Sequence, residues 1–197
     1  MSADAVRVAQ HRFPFDGVFE VDATPQLCWD ALTRTDEYTD WWPWLRELDT
    51  DGGLEAGAVA HGVIKAPLPY TLEVDITVAH VEPSRRLDAR ISGDLAGPAA
   101  LELNEHPDGT GIRITWDLEL RAPLLRSLAT VARPVMLWAH DRIIETGFEQ
   151  FCKRAIVAPV QGDTSMRGNR GGSLEYVVSA ARDAGQIAVR VPRPRWW

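Results

Sequence analysis

The residues of this chain best able to do chemistry are a few polar and aromatic side chains set into apolar patterns. His140 and Asp141 interrupt a helical apolar stripe of Leu137, Ile144, Phe148, Phe151 and Ala155, at the one place where a hydrophobe is expected. As neighbours on a helix they project about 100° apart, so both cannot point straight into the same space. Met136 four residues before and Ile144 four after favour His140 as the inward member, whereas a cap or a bond to a sheet end explains Asp141 equally well. His61 alternates with Val59 and Val63, so it faces inward if they do, and otherwise it is a solvated strand histidine. Tyr70 opens one face of a long strand and Trp116 sits mid-strand on another, where each ring either fills the core or packs on a ligand while offering one hydrogen-bond donor. General acid–base work needs a base of near-neutral pKa and a hydrogen-bond donor for the charge that develops on the substrate. His61 or His140, with Tyr70, would supply that pair.

Other chemistries lack support. The chain has no GxSxG, P-loop, GxGxxG, HExxH or EF-hand loop. Its five histidines are scattered, and Cys28 and Cys152 have no CxxC spacing, so no metal, cofactor or disulfide framework is expected. The net charge of −7 divides near Pro159, with −10 over residues 1–157 and +3 over the remainder. An acidic body repels a phosphate backbone, so nucleic-acid binding is not expected. With no apolar leader and no run approaching 18 hydrophobes, neither a signal peptide nor a membrane span is expected, and a cytoplasmic protein follows.

These groups must be held by a recognisable series of elements. Phe13, Phe15, Phe19 and Val21 alternate with acidic residues in a first strand, and Thr24-Pro25 then starts a short helix. A second short helix begins at Thr35 or Asp36 and stops in Trp41-Trp42-Pro43-Trp44, because Pro43 restricts the residue before it. Strands follow over Ala58 to Lys65 and Tyr70 to Val81, the second placing Tyr70, Leu72, Val74, Ile76, Val78 and His80 on one face. Leu87 to Ile91 and Leu101 to Leu103 mark two more. After an Asp108-Gly109-Thr110-Gly111 turn, Ile112, Ile114, Trp116, Leu118 and Leu120 alternate with polar residues. Such one-sided strands make an antiparallel sheet with one face on a core. Leu124 to Val131 reads as a helical lead-in, and Pro134 as part of the first turn of a helix running to about Ala155.

This order, together with Phe19-Glu-Val-Asp-Ala-Thr-Pro, Trp29-Asp-Ala-Leu-Thr, Trp41-Trp42-Pro43, Leu68-Pro69-Tyr70, Gly93-Asp94-Leu95-Ala96-Gly97 and His140 through Phe151, resembles the START-like (SRPBCC) superfamily and within it the polyketide cyclase/dehydrase group. The resemblance implies an α+β helix-grip fold: a curved, six- to seven-stranded antiparallel sheet around a long C-terminal helix, with two short helices after strand one. Residues 12–157 form that domain, 1–11 a flexible N-terminus, and 158–197 a basic, partly disordered extension with a short helix near 174–184. It also implies a cavity between sheet and helix for a lipid, steroid or polyketide-like molecule, lined by Trp42, Tyr70, Leu72, Val74, Trp116, Leu137, His140, Ile144 and Phe148. Trp42 enters because the family's short helices form a mouth there. Besides a structural partner-binding module, two readings of function stay open: a cofactor-free carrier of a hydrophobic small molecule, or a cyclase/dehydrase with His61 or His140 and Tyr70 as catalytic groups. A monomer or homodimer without stable membrane insertion fits either.

Overall fold

Thr24 caps the start of the first helix, its Oγ1 accepting from the Leu27 N–H at 3.2 Å while Pro25 fills the first helical position. Proline suits that position because its missing N–H would be unbonded there anyway. The computed structural model describes residues 11–65 and 70–157, excluding the side chains of 128–132 and 157. Residues 1–10 of the expected flexible start, residues 66–69, and the C-terminal extension with its helix near 174–184 lie outside the described residues. Strand β1 (Arg12–Val21) leads into α1 (Pro25–Leu32), a 3-10 turn (Thr35–Glu37) and α2 (Tyr38–Trp41). Then come β2 (Leu45–Thr50), β3 (Val59–Lys65), β4 (Thr71–Glu82), β5 (Arg86–Gly93), β6 (Leu95–His106) and β7 (Gly109–Leu120), and finally α3 (Pro123–Gln150) with a π-helical turn at Phe151–Val157. The second short helix stops at Trp41, and Trp42 is extended ahead of Pro43 as that proline requires.

All seven strands form one antiparallel sheet in the order β1-β7-β6-β5-β4-β3-β2. The architecture is the α+β helix grip expected from the order of elements. Because β1 and β2 occupy opposite edges, the segment with α1 and α2 must carry the chain from one edge to the other. The β6–β7 hairpin depends on Gly109, whose φ is +136° and where a Cβ would lie 2.1 Å from the Val21 carbonyl oxygen. Next to it Thr110, 1% exposed, ties the hairpin to the start of α1 by donating to the Ala23 carbonyl at 2.6 Å.

Three details correct the sequence reading. Leu45–Thr50 is a strand although Arg46, Glu47 and Asp49 hide any apolar run; it is an edge strand with a bulge after Leu45, where charge is tolerated. A second bulge between Val78 and His80 shifts the face of β4, so Val81 packs on the core and His80 is exposed beside Glu82. Pro134 lies inside one continuous α3 rather than in its first turn. The helix survives its missing bond because Leu125 before it and Met136 after it are buried in the same apolar cluster, and packing outweighs local propensity.

The core has two parts. One gathers Phe19, Val21, Cys28, Trp29, Trp41, Ile112, Phe148 and Phe151 where β1, α1 and the end of α3 meet. The other, around Phe13, Leu72, Leu120, Leu125 and Met136, sits under the beginning of α3.

Candidate functional site

Period-two alternation brings one residue from each of five strands into a transverse row on the inner face: Phe15, Trp116, Ala99, Ala89 and Val78. The paired alanines at its centre place little side-chain volume opposite α3. Around them Ile76 and Ile91 are only half-buried and belong to neither cluster, while Leu87, Leu101 and Ile114, also half-buried, pack against the cluster at the end of α3. Phe15 stacks on Trp116 with ring centroids 4.6 Å apart and planes at 27°.

Helix α3 sets His140 over this row. The Trp116 Nε1–H donates to His140 Nε2 at 3.2 Å, and His140 Nδ1 lies 3.3 Å from an Asp141 carboxylate oxygen. An indole nitrogen can only donate, so Nε2 is the accepting, unprotonated nitrogen and the ring proton resides on Nδ1 facing Asp141. Burial pushes the imidazole pKa below its usual 6.5 against the opposing pull of Asp141, in keeping with a neutral ring. The imidazole also lies 6.1 Å, centroid to centroid, from both Phe13 and Phe15, at the junction of the two core clusters. The polar break in the stripe is thus a Trp116–His140–Asp141 chain in apolar surroundings.

The other expected residues scatter along this axis. Tyr70, Leu72 and Leu137 belong to the cluster under the start of α3, and burial raises the Tyr70 pKa. Val74 is buried on β4. Phe148 is core, stacked on Phe19 at 4.1 Å, with Ile144 packed beside that cluster. Trp42 donates from Nε1 to the Gly147 carbonyl at 2.8 Å and stacks on Trp44, so this part of the aromatic block packs against α3, while Trp41 is buried. His61 does not join them. Gly62, its neighbour, faces inward toward Val74, Leu45 and Leu48, which turns His61 outward onto Asp75 at 2.8 Å; the inward reading through Val59 and Val63 is corrected by this parity. Sequence reasoning passed over Phe15 and the Ala89–Ala99 pair. The spacing of Phe13, Phe15 and Phe19 carried the first, and nothing short of strand register could have found the second.

Nucleophilic cysteine chemistry is disfavoured, since burial pushes the Cys28 thiol up to about 11 and that of Cys152 up to about 12. Among the described residues no cluster of His, Cys, Asp or Glu could hold a metal ion, and no helix is long and apolar enough to cross a membrane.

No curated protein shows a detectable match. Solved structures of similar fold include the Zhui aromatase/cyclase from a Streptomyces species, 15% identical with a TM-score of 0.58 over 74% of this chain and 94% of that one. The di-domain aromatase/cyclase StfQ of the steffimycin biosynthetic pathway is 10% identical, with a TM-score of 0.60 over 77% and 53%. A conserved protein from Geobacillus kaustophilus is 13% identical, with a TM-score of 0.59 over 72% and 95%. At such identities the likeness speaks for the helix-grip fold alone. The model of the polyketide cyclase/dehydrase and lipid transport family matches residues 12–156, and the chain therefore belongs to that family, membership of which implies a hydrophobic ligand-binding cavity.

Proposed function

We propose that the protein binds a hydrophobic small molecule, of lipid, steroid or polyketide type, between the sheet and α3 beneath His140, without a cofactor. The observation that carries this reading is the Ala89–Ala99 pair on the inner face, with Ile76 and Ile91 half-buried near it and belonging to neither apolar cluster. Apolar walls with a few convergent polar groups are the usual make-up of a small-molecule site. Native mass spectrometry of the purified protein is expected to reveal a retained ligand, and a thermal-shift panel of lipids, steroids and aromatic polyketides to raise its melting temperature. No retained mass and no stabilisation by any panel member would count against the proposal.

The second reading is a cyclase/dehydrase, favoured by one observation: a neutral imidazole, held by Asp141, sits with its basic Nε2 on the inner face. His140 would take the proton of the carbon acid, and Trp116 or Tyr70 would donate to the enolate oxygen. Turnover of a linear polyketide that vanishes in His140→Ala, with binding retained, would establish the enzyme; turnover surviving that change would remove His140 from the chemistry.

A further inference from the structure

The Trp116–His140 contact has a definite polarity, and that polarity says which polar group a ligand should carry. Trp116 contributes only a donor. His140, its Nδ1–H facing Asp141, contributes only an acceptor at Nε2. In the structure these two groups satisfy each other across 3.2 Å. A ligand that reaches the row between Phe15 and Ala99 must either leave the pair intact or part it by roughly 1.5 Å and bridge it with an atom that accepts and donates at once. Trp116 is held by its stack on Phe15, so the imidazole on the helix is the group that would yield.

We infer that the pair selects apolar ligands bearing a hydroxyl, whose oxygen accepts from Trp116 Nε1–H while its proton is donated to His140 Nε2. The inference rests on the ligand-binding reading above. A ketone satisfies Trp116 but leaves Nε2 without a donor, and an ammonium satisfies Nε2 but leaves the indole N–H without an acceptor. A carboxylate has no proton for Nε2 and meets the negative charge of Asp141, whose side chain is 33% exposed. An alkyl group satisfies neither side. A hydroxyl is the small group that completes both hydrogen bonds.

The test is titration calorimetry of the full chain with 2-naphthol, 2-methylnaphthalene and 2-naphthoate. The first two are nearly isosteric, and transfer from water alone would rank the methyl compound as the tighter ligand. Selection by the bridge reverses that order: 2-naphthol is expected to bind about tenfold more tightly than 2-methylnaphthalene, with 2-naphthoate weakest. The preference should disappear in Trp116→Phe and in His140→Phe. Independently of those variants, 2-naphthol should shift the Trp116 indole N–H resonance of the unaltered protein and 2-methylnaphthalene should leave it in its ligand-free hydrogen-bonded position. Equal or tighter binding of 2-methylnaphthalene, or a preference that survives both substitutions, overturns the inference while leaving the cavity reading in place. Failure of all three compounds to bind also overturns it, and the broader ligand panel then decides separately whether the binding reading falls with it.

Discussion

Two histidines with similar sequence surroundings, each beside apolar residues and each offered as an acid/base, end with opposite electrostatics. His61 is on the outer face, where the hydrogen bond it donates to the Asp75 carboxylate raises its pKa. A raised folded value stabilises the fold fully below the unfolded pKa of about 6.5, and that contribution is lost as pH rises through the folded value. The melting temperature of the unaltered protein should therefore exceed that of His61→Ala at about pH 5.5, the gap should close in alkaline solution, and ligand binding should be the same in both. His140 is shifted the other way by burial. Its folded state keeps full stability above about pH 6.5 and loses it as pH falls through the depressed folded value. An NMR titration should place its midpoint below that of a free imidazole. Because a protonated Nε2 cannot accept from Trp116, the indole N–H resonance should move with the same midpoint, and acid destabilisation should be shallower in His140→Phe. A Trp116 signal indifferent to that titration would contradict the assigned hydrogen bond.

At the scale of elements, the attachment of the tryptophan block to α3 depends on one missing side chain. A Cβ at Gly147 would stand 3.3 Å from the Trp44 ring and 3.8 Å from the Trp42 Nε1. Gly147→Ala is expected to be nearly neutral, since relief of the glycine penalty of about 1 kcal/mol in a helix offsets a slight crowding. Gly147→Leu has no such room and should cost about 1–3 kcal/mol in urea unfolding, with tryptophan emission shifted to the red as the indoles are displaced. The same scale shows where sequence reading reached. The alternation in β1 and β7 and the Thr24-Pro25 helix start are local signals and were legible. Strand β2 and the bulge in β4 were not, because an edge position and a register shift are properties of a strand's partner, and β2 owes its pairing to β3.

For the whole molecule, the cluster that joins β1, α1 and the end of α3 is the seam between the sheet and its helices. Phe19, 1% exposed and stacked on Phe148, occupies its centre. Phe19→Ala should lower unfolding free energy by about 3–5 kcal/mol through lost burial and the cavity left behind. Val18, 44% exposed on the outer face, should tolerate alanine within about 0.5 kcal/mol. Chemical denaturation of both variants checks the pair, and similar losses would mean that the outer face contributes to the core after all. The division into two clusters is also a property of this scale, since Phe13 and Phe15, two residues apart in sequence, pack against different ones.

By itself the sequence determined most of the elements and their order, because alternation, caps and the change from period two to a helical period are written in neighbouring residues, and that order carried the resemblance that implied the helix-grip fold. It also marked His140 as the polar break. Which histidine faces the interior, which aromatic ring it bonds, and where the inner face carries alanine instead of a large side chain were decided only by tertiary structure. Those outcomes depend on strand register and on the phase of α3 against the sheet. A single step of register, as Gly62 beside His61 illustrates, moves a side chain from one face of the sheet to the other.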